Sequence, residues 1–322
     1  MKKRIIKILR LILALAPLVW IFTRTDLTSA AGILKTVSPL LLMTILLFVF
    51  VTIVLQGFRW WILLKRFIPD LKMLSTLKIH LVSTFYAIVL PSSAAQDVVR
   101  SVILSRKYSS SVIWASSWIA RLMGLFVLML FSSVGISILK TETLSPNFRF
   151  SFFLVFGAAL FMGIASFSKT ITKPLRRIGT KFSDNRLVQF FSQLRNSIYD
   201  YKKAKITLLQ ALTVSITTQL FLIINASLVF YAVTGKFYFL ESLAFIPLIE
   251  VVSISLPLTP GGIGVREGLL ALMFSQLNLS ADQLASYVAI NLLISFSKLI
   301  GAMPLLYSII KKKLKFEPSV DS

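Results

Sequence analysis

Long apolar runs are the feature of this sequence that most restricts its fold. A helix needs about 20 mostly apolar residues to cross the hydrocarbon core of a bilayer. Because 56% of the residues are hydrophobic and only 15% are charged, a soluble fold could not bury this much apolar surface. The sequence therefore predicts an all-α polytopic membrane protein with a single integral membrane domain over residues 1–322. The predicted spans, of which we expect the first to be uncleaved, are 8–23, 39–58, 112–139, 150–168, 207–233 and 283–307.

Two more apolar stretches, 79–105 and 240–277, contain helix-breaking residues near their middle. Non-helical backbone is tolerated at membrane depth where protein or a water-filled cavity covers it. We therefore expect both stretches to be re-entrant helical hairpins, which leaves about six transmembrane helices. The predicted re-entrant turns contain Pro91, Pro257, Pro260, Gly261, Gly262 and Gly264.

The distribution of basic residues favours this topology. The chain carries 35 Lys and Arg against 12 Asp and Glu, mostly between the apolar runs. If both broken stretches crossed the membrane fully, the ten basic residues of 169–206 would face the exterior, against the positive-inside rule. We therefore predict a multi-pass protein of the cell (inner) membrane with cytoplasmic N- and C-termini. The basic, amphipathic segment 169–206 is predicted to lie on the inner leaflet or to dock a partner, and we expect no nucleic-acid partner.

The residue types that the chain lacks exclude several kinds of chemistry. There is no cysteine and a single histidine, His80, so disulfides and thiol catalysis are excluded and histidine-based metal sites are disfavoured. We interpret His80 as an interfacial residue at a helix end, and Trp60, Trp61, Trp114 and Trp118 as parts of interfacial belts. No catalytic constellation, metal site or cofactor motif stands out, so we do not expect an enzyme. An integral-membrane transferase acting on a polyprenyl phosphate is the weakest of the hypotheses that stay open.

The two broken stretches also resemble each other. LPSSAAQDVVRSVIL begins at Leu90 and LPLTPGGIGVREGLL begins at Leu256, and aligning these two leucines also aligns Arg100 with Arg266. We call this register the repeat alignment. Three crossings separate the two copies in the topology above, so they would enter from opposite faces, as in transporters built from inverted repeats. The predicted halves are 39–139 and 207–307. Chance similarity between helix ends is the alternative.

Seven charged residues fall at or near membrane depth. A charge at the bilayer centre costs about 2.5–3.5 kcal/mol on insertion scales, so such residues need partners or water. Arginine keeps its charge and binds phosphate bidentately, and a helix that starts after a Pro/Gly break adds a partial positive charge. One interpretation is a cationic cavity for a phosphate headgroup, and the other is that these side chains snorkel to an interface. The predicted substrate-binding residues are Asp97, Arg100, Arg121, Glu250, Arg266, Glu267 and Lys298.

Four segments of the chain together resemble one known family. LPLTPGGIGVREG resembles the PGGxGxxE signature of the lysylphosphatidylglycerol synthase transmembrane region, also called the flippase-like domain family. RWWILLKRF, LPSSAAQDVVRSVIL and IARLMGL resemble three further segments of that family. The chain departs from the pattern where Ala95 and Gln96 replace glycines and where Ala120 replaces an acidic residue before Arg121. These departures bear on the substrate more than on the fold.

The resemblance implies a stand-alone membrane domain that moves lipids or lipid-linked intermediates between leaflets. Larger relatives carry a soluble aminoacyl-transferase domain, and because this chain ends soon after its last predicted span, we do not expect it to transfer lysine by itself. The function hypothesis is a translocase for a phospholipid or a polyprenyl-phosphate-linked lipid. The alternative is a non-transporting membrane accessory of a cytoplasmic lipid- or sugar-modifying enzyme, docked through 169–206.

Overall fold

The computed structural model describes residues 27–89, 95–139, 156–157, 186–255, 264–274 and 279–304. These residues form ten α-helices and two short 3₁₀ helices, and they contain no strand, which confirms the predicted all-α class. The 3₁₀ helices are Tyr201–Lys203 and Lys298–Ala302. The α-helices are α1 (Leu27–Thr36), α2 (Pro39–Lys65), α3 (Met73–Val89), α4 (Ala95–Ser105), α5 (Ser110–Ile138), α6 (Arg186–Asp200), α7 (Lys205–Thr234), α8 (Phe239–Ser255), α9 (Val265–Phe274) and α10 (Ala281–Ser297).

Four of these helices are long and apolar enough to cross a membrane, namely α2, α5, α7, and α10 with its 3₁₀ extension. They coincide with four of the six predicted runs, so a multi-pass membrane protein is confirmed for the described part of the chain. The other two predicted spans, 8–23 and 150–168, lie outside the described residues except for 156–157.

Local chemistry explains where the long helices begin and end. Pro39 opens α2, where its missing N–H would have no intrahelical partner in any case. Ser280 and Gln283 form a reciprocal capping box at the start of α10. The backbone nitrogen of Gln283 lies 3.2 Å from Oγ of Ser280, and the backbone nitrogen of Ser280 lies 3.1 Å from Oε1 of Gln283. Gly235 ends α7 in the left-handed region, at φ +71°, as a C-terminal glycine cap.

Each broken stretch forms two short helices that pack against each other. The helices α3 and α8 each have 17 residues, which is short for a membrane crossing. His80, in the middle of α3, contacts both Gln96 and Arg100 of α4, so α4 runs back along α3. An ion pair between Glu250 and Arg266 likewise joins α8 to α9. This arrangement is the one expected of a re-entrant hairpin.

Of the predicted turn residues, only Gly264 is among the described residues, and it has a φ of +89°, a backbone conformation that favours glycine. The other predicted turn residues lie outside the described residues: Pro91, Pro257, Pro260, Gly261 and Gly262.

The helix boundaries recur in the repeat alignment. The first residues of α2 and α7, Pro39 and Lys205, are equivalent in it, and so are both ends of α3 (Met73–Val89) and α8 (Phe239–Ser255). The helices α4 and α5 are followed in the same order by α9 and α10. We call α2–α5 the first half and α7–α10 with its 3₁₀ extension the second half. This recurrence adds a structural argument for the repeat that the sequence predicts.

The equivalent helices α2 and α7 pack side by side in opposite directions. Phe48 lies against Phe221, with ring centroids 4.8 Å apart, and Arg59 donates a hydrogen bond to Ser215 at 3.0 Å. Residues nearer the end of α2 therefore contact residues nearer the start of α7, so the two helices run antiparallel. Antiparallel packing of equivalent helices is the geometry of an inverted repeat.

The two halves also exchange contacts reciprocally. The helix α8 packs against α5, and α3 packs against the 3₁₀ helix after α10. A glycine lies at each contact, Gly135 on α5 and Gly301 in the 3₁₀ helix, and these two glycines are themselves equivalent in the repeat alignment. A Cβ atom at Gly135 would stand 2.5 Å from the backbone nitrogen of Ala244, and one at Gly301 would overlap the carbonyl oxygen of Leu81. Only glycine allows so close an approach of the backbones.

The helix α6 belongs to the predicted basic segment and packs on the protein. Leu194 and Ile198 join a hydrophobic cluster that contains Trp60 and Leu63. Tyr201 is fully buried there; its hydroxyl donates a hydrogen bond to the carbonyl oxygen of Leu63 at 2.9 Å, and burial raises its pKa. The described part of this segment therefore places apolar side chains against the helix bundle, not against the leaflet alone.

Candidate functional site

A cavity of about 280 Å³ lies between the two halves, and every helix of both halves contributes to its wall. Among the described residues, five cationic side chains and two carboxylates line it, so the formal charge of this lining is three positive. Six of the seven predicted site residues are among them, and Glu267 is not. The charged lining residues are Arg59, Asp97, Arg100, Arg121, Glu250, Arg266 and Lys298.

Asp97 lies at the centre of the charged cluster in the first half. Its two carboxylate oxygens pair with different arginines, at 2.6 Å from Nη2 of Arg100 and 2.7 Å from Nη1 of Arg121. The pairing with Arg100 is local, three residues along α4, whereas Arg121 reaches Asp97 from α5. One carboxylate thus holds two guanidinium groups at the cavity wall, and the cluster keeps an excess of positive charge.

Arg100 is also held from α2 and α3. Its guanidinium lies over the ring of Trp60, with Cζ 4.6 Å from the centroid, in cation–π geometry. Its Nη1 lies 3.2 Å from Nδ1 of His80, and since arginine can only donate, the imidazole must accept through Nδ1. The neutral ring then carries its proton on Nε2, which lies 3.2 Å from the amide nitrogen of Gln96. Since two N–H groups cannot form a hydrogen bond, the amide of Gln96 must be turned by 180° for its oxygen to accept from His80.

Two interpretations from the sequence are wrong for this cluster. His80 is 1% exposed and lies within α3, so it is a buried partner of Arg100 and not an interfacial residue at a helix end. Trp60 is fully buried beneath Arg100, so it does not belong to an interfacial belt. Both errors have one cause: a lone polar or aromatic residue in an apolar helix reveals its partner only through tertiary contacts.

Arg59 is a charged site residue that sequence reasoning missed. It lies near the cytoplasmic end predicted for α2, donates to Ser215 of α7, and is buried. Gly124 of α5 leaves room for it, since a Cβ atom there would stand 3.2 Å from its Nη1. The Nε atoms of Arg59 and Arg100 are buried without a hydrogen-bond partner in the described part of the protein. The available signal was the family-like segment RWWILLKRF, which begins with this arginine.

The second half contributes a smaller charged cluster. Nη2 of Arg266 lies 2.6 Å from Oε1 of Glu250, and both side chains are largely buried. Lys298, at the end of α10, lines the same cavity and interacts electrostatically with both. Among the described residues, no carboxylate lies within ion-pair distance of Lys298, so its charge adds to the positive excess of the cavity.

Glu267 has a structural contact of its own. Its Oε2 accepts a hydrogen bond from the backbone N–H of Gly264 at 2.6 Å, which is the contact by which a residue in the first turn caps the start of a helix, here α9. Glu267 is fully buried and does not line the cavity. Its predicted part in substrate binding stays a prediction, and the geometry favours a capping role.

This capping role can be tested by substitution. We expect Glu267→Ala to lower the free energy of unfolding by about 1–2 kcal/mol, because the N–H of Gly264 loses its acceptor. Glu267→Gln keeps an acceptor oxygen and should lose less. Thermal unfolding of the purified variants in detergent measures both effects. Lipid binding that falls in Glu267→Gln without a change in stability would contradict the capping role and favour contact with substrate.

Equivalent positions of the two halves line the same cavity. Several pairs of residues that match in the repeat alignment both line it, which agrees with a site built at a repeat interface. The chemistry differs at most of these positions, so the two halves do not form equal subsites. The matched pairs that both line the cavity include Arg59 and Asn225, Thr84 and Glu250, Arg100 and Arg266, and Arg121 and Tyr287.

Part of the cavity wall is apolar. Leu125, Leu128, Leu222, Val229 and Ile249 line it together with the charged groups. In the part of the chain that the structure describes, no group of three or more His, Asp or Glu side chains is arranged to hold a metal ion. The site therefore offers fixed cations and hydrogen-bonding groups beside an apolar surface.

Four helices of membrane-spanning length and a cavity lined by arginines between them define a multi-pass membrane protein with a cationic site among its helices. The chain belongs to the lysylphosphatidylglycerol synthase TM region family, whose model matches residues 7–301. Membership confirms the family resemblance of the sequence and places the chain among membrane proteins linked to lipid handling. A comparison with curated proteins finds no significant match.

Proposed function

We propose that this protein binds the phosphate-bearing headgroup of a lipid in its cavity and moves that lipid between the two leaflets. The observation that carries the proposal is the formal charge of three positive in one cavity that both halves line. Charges inside a membrane protein are costly and mark substrate pathways when they face a cavity. A ligand phosphate would supply the negative charge that Asp97 and Glu250 do not.

The identity of the cations supports phosphate as the ligand. Four of the five are arginines, and a guanidinium group presents a planar fork of donors that matches phosphate oxygens. Arg59 and Arg100 each keep a buried Nε–H with no acceptor among the described residues. A buried unsatisfied donor costs about 1–3 kcal/mol, so an anion that accepts from these groups gains that energy on binding.

The apolar wall supports a lipid over a free phosphate. Acyl or prenyl chains could lie against the leucine and isoleucine side chains while the headgroup remains among the arginines. The antiparallel packing of equivalent helices supports alternating access, in which one half moves against the other about a fixed site. In this proposal the protein acts in the cell membrane with both termini in the cytoplasm.

The accessory hypothesis receives less support. It requires the apolar face of 184–200 to dock an enzyme, yet Leu194 and Ile198 are packed in the protein's own core. The side chains of Leu187, Phe190 and Phe191 lie outside the described residues. A cytoplasmic lipid- or sugar-modifying partner stays a prediction, tested by copurification with and without residues 184–200.

The proposal is tested by reconstitution. We expect Arg266→Ala to slow translocation of a fluorescent phosphatidylglycerol in proteoliposomes about ten- to a hundredfold, because a charge-assisted hydrogen bond contributes about 1.5–3 kcal/mol. The rate is measured as the fraction of label that becomes accessible to dithionite over time.

Two control variants accompany this test. Arg266→Lys keeps the charge and the pairing with Glu250, and should lose less activity. Lys236→Ala removes an exposed cation in the connection between α7 and α8, outside the cavity, and should translocate like the parent protein. Unchanged rates in Arg266→Ala would refute its role, and a parent protein no faster than empty vesicles would refute translocation.

A further inference from the structure

The two halves of the cavity present different chemistry at equivalent positions. Arg59 and Arg121 of the first half correspond, in the repeat alignment, to Asn225 and Tyr287 of the second. Leu125 likewise corresponds to Asn291. At these three positions the first half carries two guanidinium groups and a leucine, whereas the second half carries uncharged groups that both donate and accept hydrogen bonds, beside its own Glu250, Arg266 and Lys298.

Three buried carboxamides belong to the second half's part of the cavity wall. Gln219, Asn225 and Asn291 are each at least nine-tenths buried and line the cavity. The Oδ1 atom of Asn225 has no hydrogen-bond partner among the described residues. Asn291 donates through Nδ2 to the carbonyl oxygen of Tyr287 at 3.0 Å, which fixes the orientation of its amide. A buried acceptor without a partner costs about 1–3 kcal/mol, so a ligand that brings a donor to Asn225 Oδ1 would bind more tightly.

A phosphate alone does not satisfy the amide oxygen of Asn225. Phosphate oxygens only accept hydrogen bonds at neutral pH, so they suit the arginines and repel the amide oxygen of Asn225. The donor could be a hydroxyl or an ammonium group. An ammonium is disfavoured because the cavity already holds three more positive than negative charges, and because Asp97 and Glu250 are paired with arginines. Neutral hydroxyls fit both constraints.

We infer that the lipid taken by this site is anionic and carries uncharged hydroxyl groups beyond its phosphate, with the phosphate against the arginines of the first half and the hydroxyls against Asn225 and Asn291 of the second. This inference rests on the proposed binding of a lipid phosphate. It distinguishes a glycerol- or sugar-phosphate headgroup from a zwitterionic or aminoacylated one. Phosphatidylglycerol and glycosylated polyprenyl phosphates share this chemistry.

A binding panel separates these headgroups without depending on transport. Native mass spectrometry of the purified full chain would measure the affinity for phosphatidylglycerol, phosphatidylpropanol, phosphatidylethanolamine and a mannosyl polyprenyl phosphate. Phosphatidylpropanol matches phosphatidylglycerol in charge and headgroup carbons but lacks hydroxyls. We expect phosphatidylglycerol to bind about tenfold more tightly than phosphatidylpropanol, and phosphatidylethanolamine to bind more weakly than both. Comparing the mannosyl polyprenyl phosphate with phosphatidylglycerol shows whether the site prefers a polyprenyl-linked or a glycerol-based lipid.

Variants of Asn225 test the assignment of the hydroxyl subsite. Asn225→Leu should lower the affinity for phosphatidylglycerol to the affinity for phosphatidylpropanol, because the acceptor is lost while the arginines remain. Asn225→Asp should lower the affinity for phosphatidylglycerol and raise the affinity for phosphatidylethanolamine, because a carboxylate can pair with an ammonium. Gln210→Glu makes the same kind of change at an exposed position of α7 outside the cavity, and should leave the preference unchanged.

The outcomes separate this inference from the proposed function. Equal affinity for phosphatidylglycerol and phosphatidylpropanol in the parent protein, or tighter binding of phosphatidylethanolamine, overturns the hydroxyl subsite and leaves phosphate binding intact. Failure to bind any of the anionic lipids overturns both. The expected preference in a protein that does not translocate lipid supports the subsite and refutes only transport. The parent panel decides the question even if an Asn225 variant does not fold.

Discussion

Replacing Asp97 with Asn is expected to lower the free energy of unfolding by about 3 kcal/mol and to reduce lipid translocation nearly to the rate of empty vesicles. Its carboxylate is the partner of both Arg100 and Arg121, so one substitution leaves two guanidinium groups without an ion pair. Breaking a buried ion pair by removing one partner costs about 3–5 kcal/mol. We take the lower end because the side chain of Asp97 is 23% exposed.

Thermal unfolding in detergent, followed by fluorescence-detected size-exclusion chromatography, measures this loss. The double variant Asp97→Asn with Arg121→Gln is the matched control, because it restores the formal charge of the cavity. It should recover part of the stability that Asp97→Asn alone loses, since the two residues are in direct contact and their effects are not additive. An unfolding midpoint in Asp97→Asn equal to that of the parent would show that Asp97 does not hold the arginines.

The charged site was partly predictable because some of its contacts are local. Asp97 and Arg100 stand three residues apart on one helix, where such pairs meet, and the sequence identifies both. The pairings of Asp97 with Arg121 and of Glu250 with Arg266 each join two different helices. Because these pairings depend on how the helices pack, the sequence names the residues but not their partners.

Buried polar residues inside apolar helices were the harder case. Arg59 follows an apolar run and is followed by Lys65 and Arg66, so it resembles the basic end of a membrane span. Only the packing of α7 against α2, with Ser215 as partner, turns this arginine into the cavity. His80 is similar, because its role depends on α4 folding back along α3.

Helix lengths and breaks followed from the sequence more directly than helix partners did. Apolar length predicts α2, α5, α7 and α10 because the bilayer fixes how many residues a crossing needs. The sequence also carries Gly135 and Gly301 at matching positions of the repeat alignment, which is a signal of equivalent close contacts that the broken segments alone do not reveal. That each glycine contacts a helix of the other half is a property of the packed structure.

Replacing Gly135 with Ala is expected to separate α5 from α8 and to destabilise the protein by about 1–3 kcal/mol. The new Cβ would stand 2.5–2.7 Å from backbone atoms of Leu243 and Ala244, which cannot move as a flexible side chain could. The hydrogen bond from Ser132 to the carbonyl oxygen of Ala244, at 2.6 Å, lies beside the clash and would lengthen. Because the packed interior does not deform locally, the strain should displace α8 as a unit.

That displacement connects stability to the site. Glu250 lies six residues after Ala244 on α8, about 9 Å along the helix axis, so a shift of α8 changes its distance to Arg266. We therefore expect Gly135→Ala to lower both the unfolding midpoint and the translocation rate, and Gly301→Ala at the equivalent contact to do the same. Gly32→Ala is the control: no atom lies within 4 Å of its added Cβ in α1, and alanine favours a helix over glycine by about 1 kcal/mol, so stability should hold or rise. If Gly135→Ala behaved like Gly32→Ala, the close contact between the halves would not constrain the cavity, and the two halves would have to be joined there by other contacts.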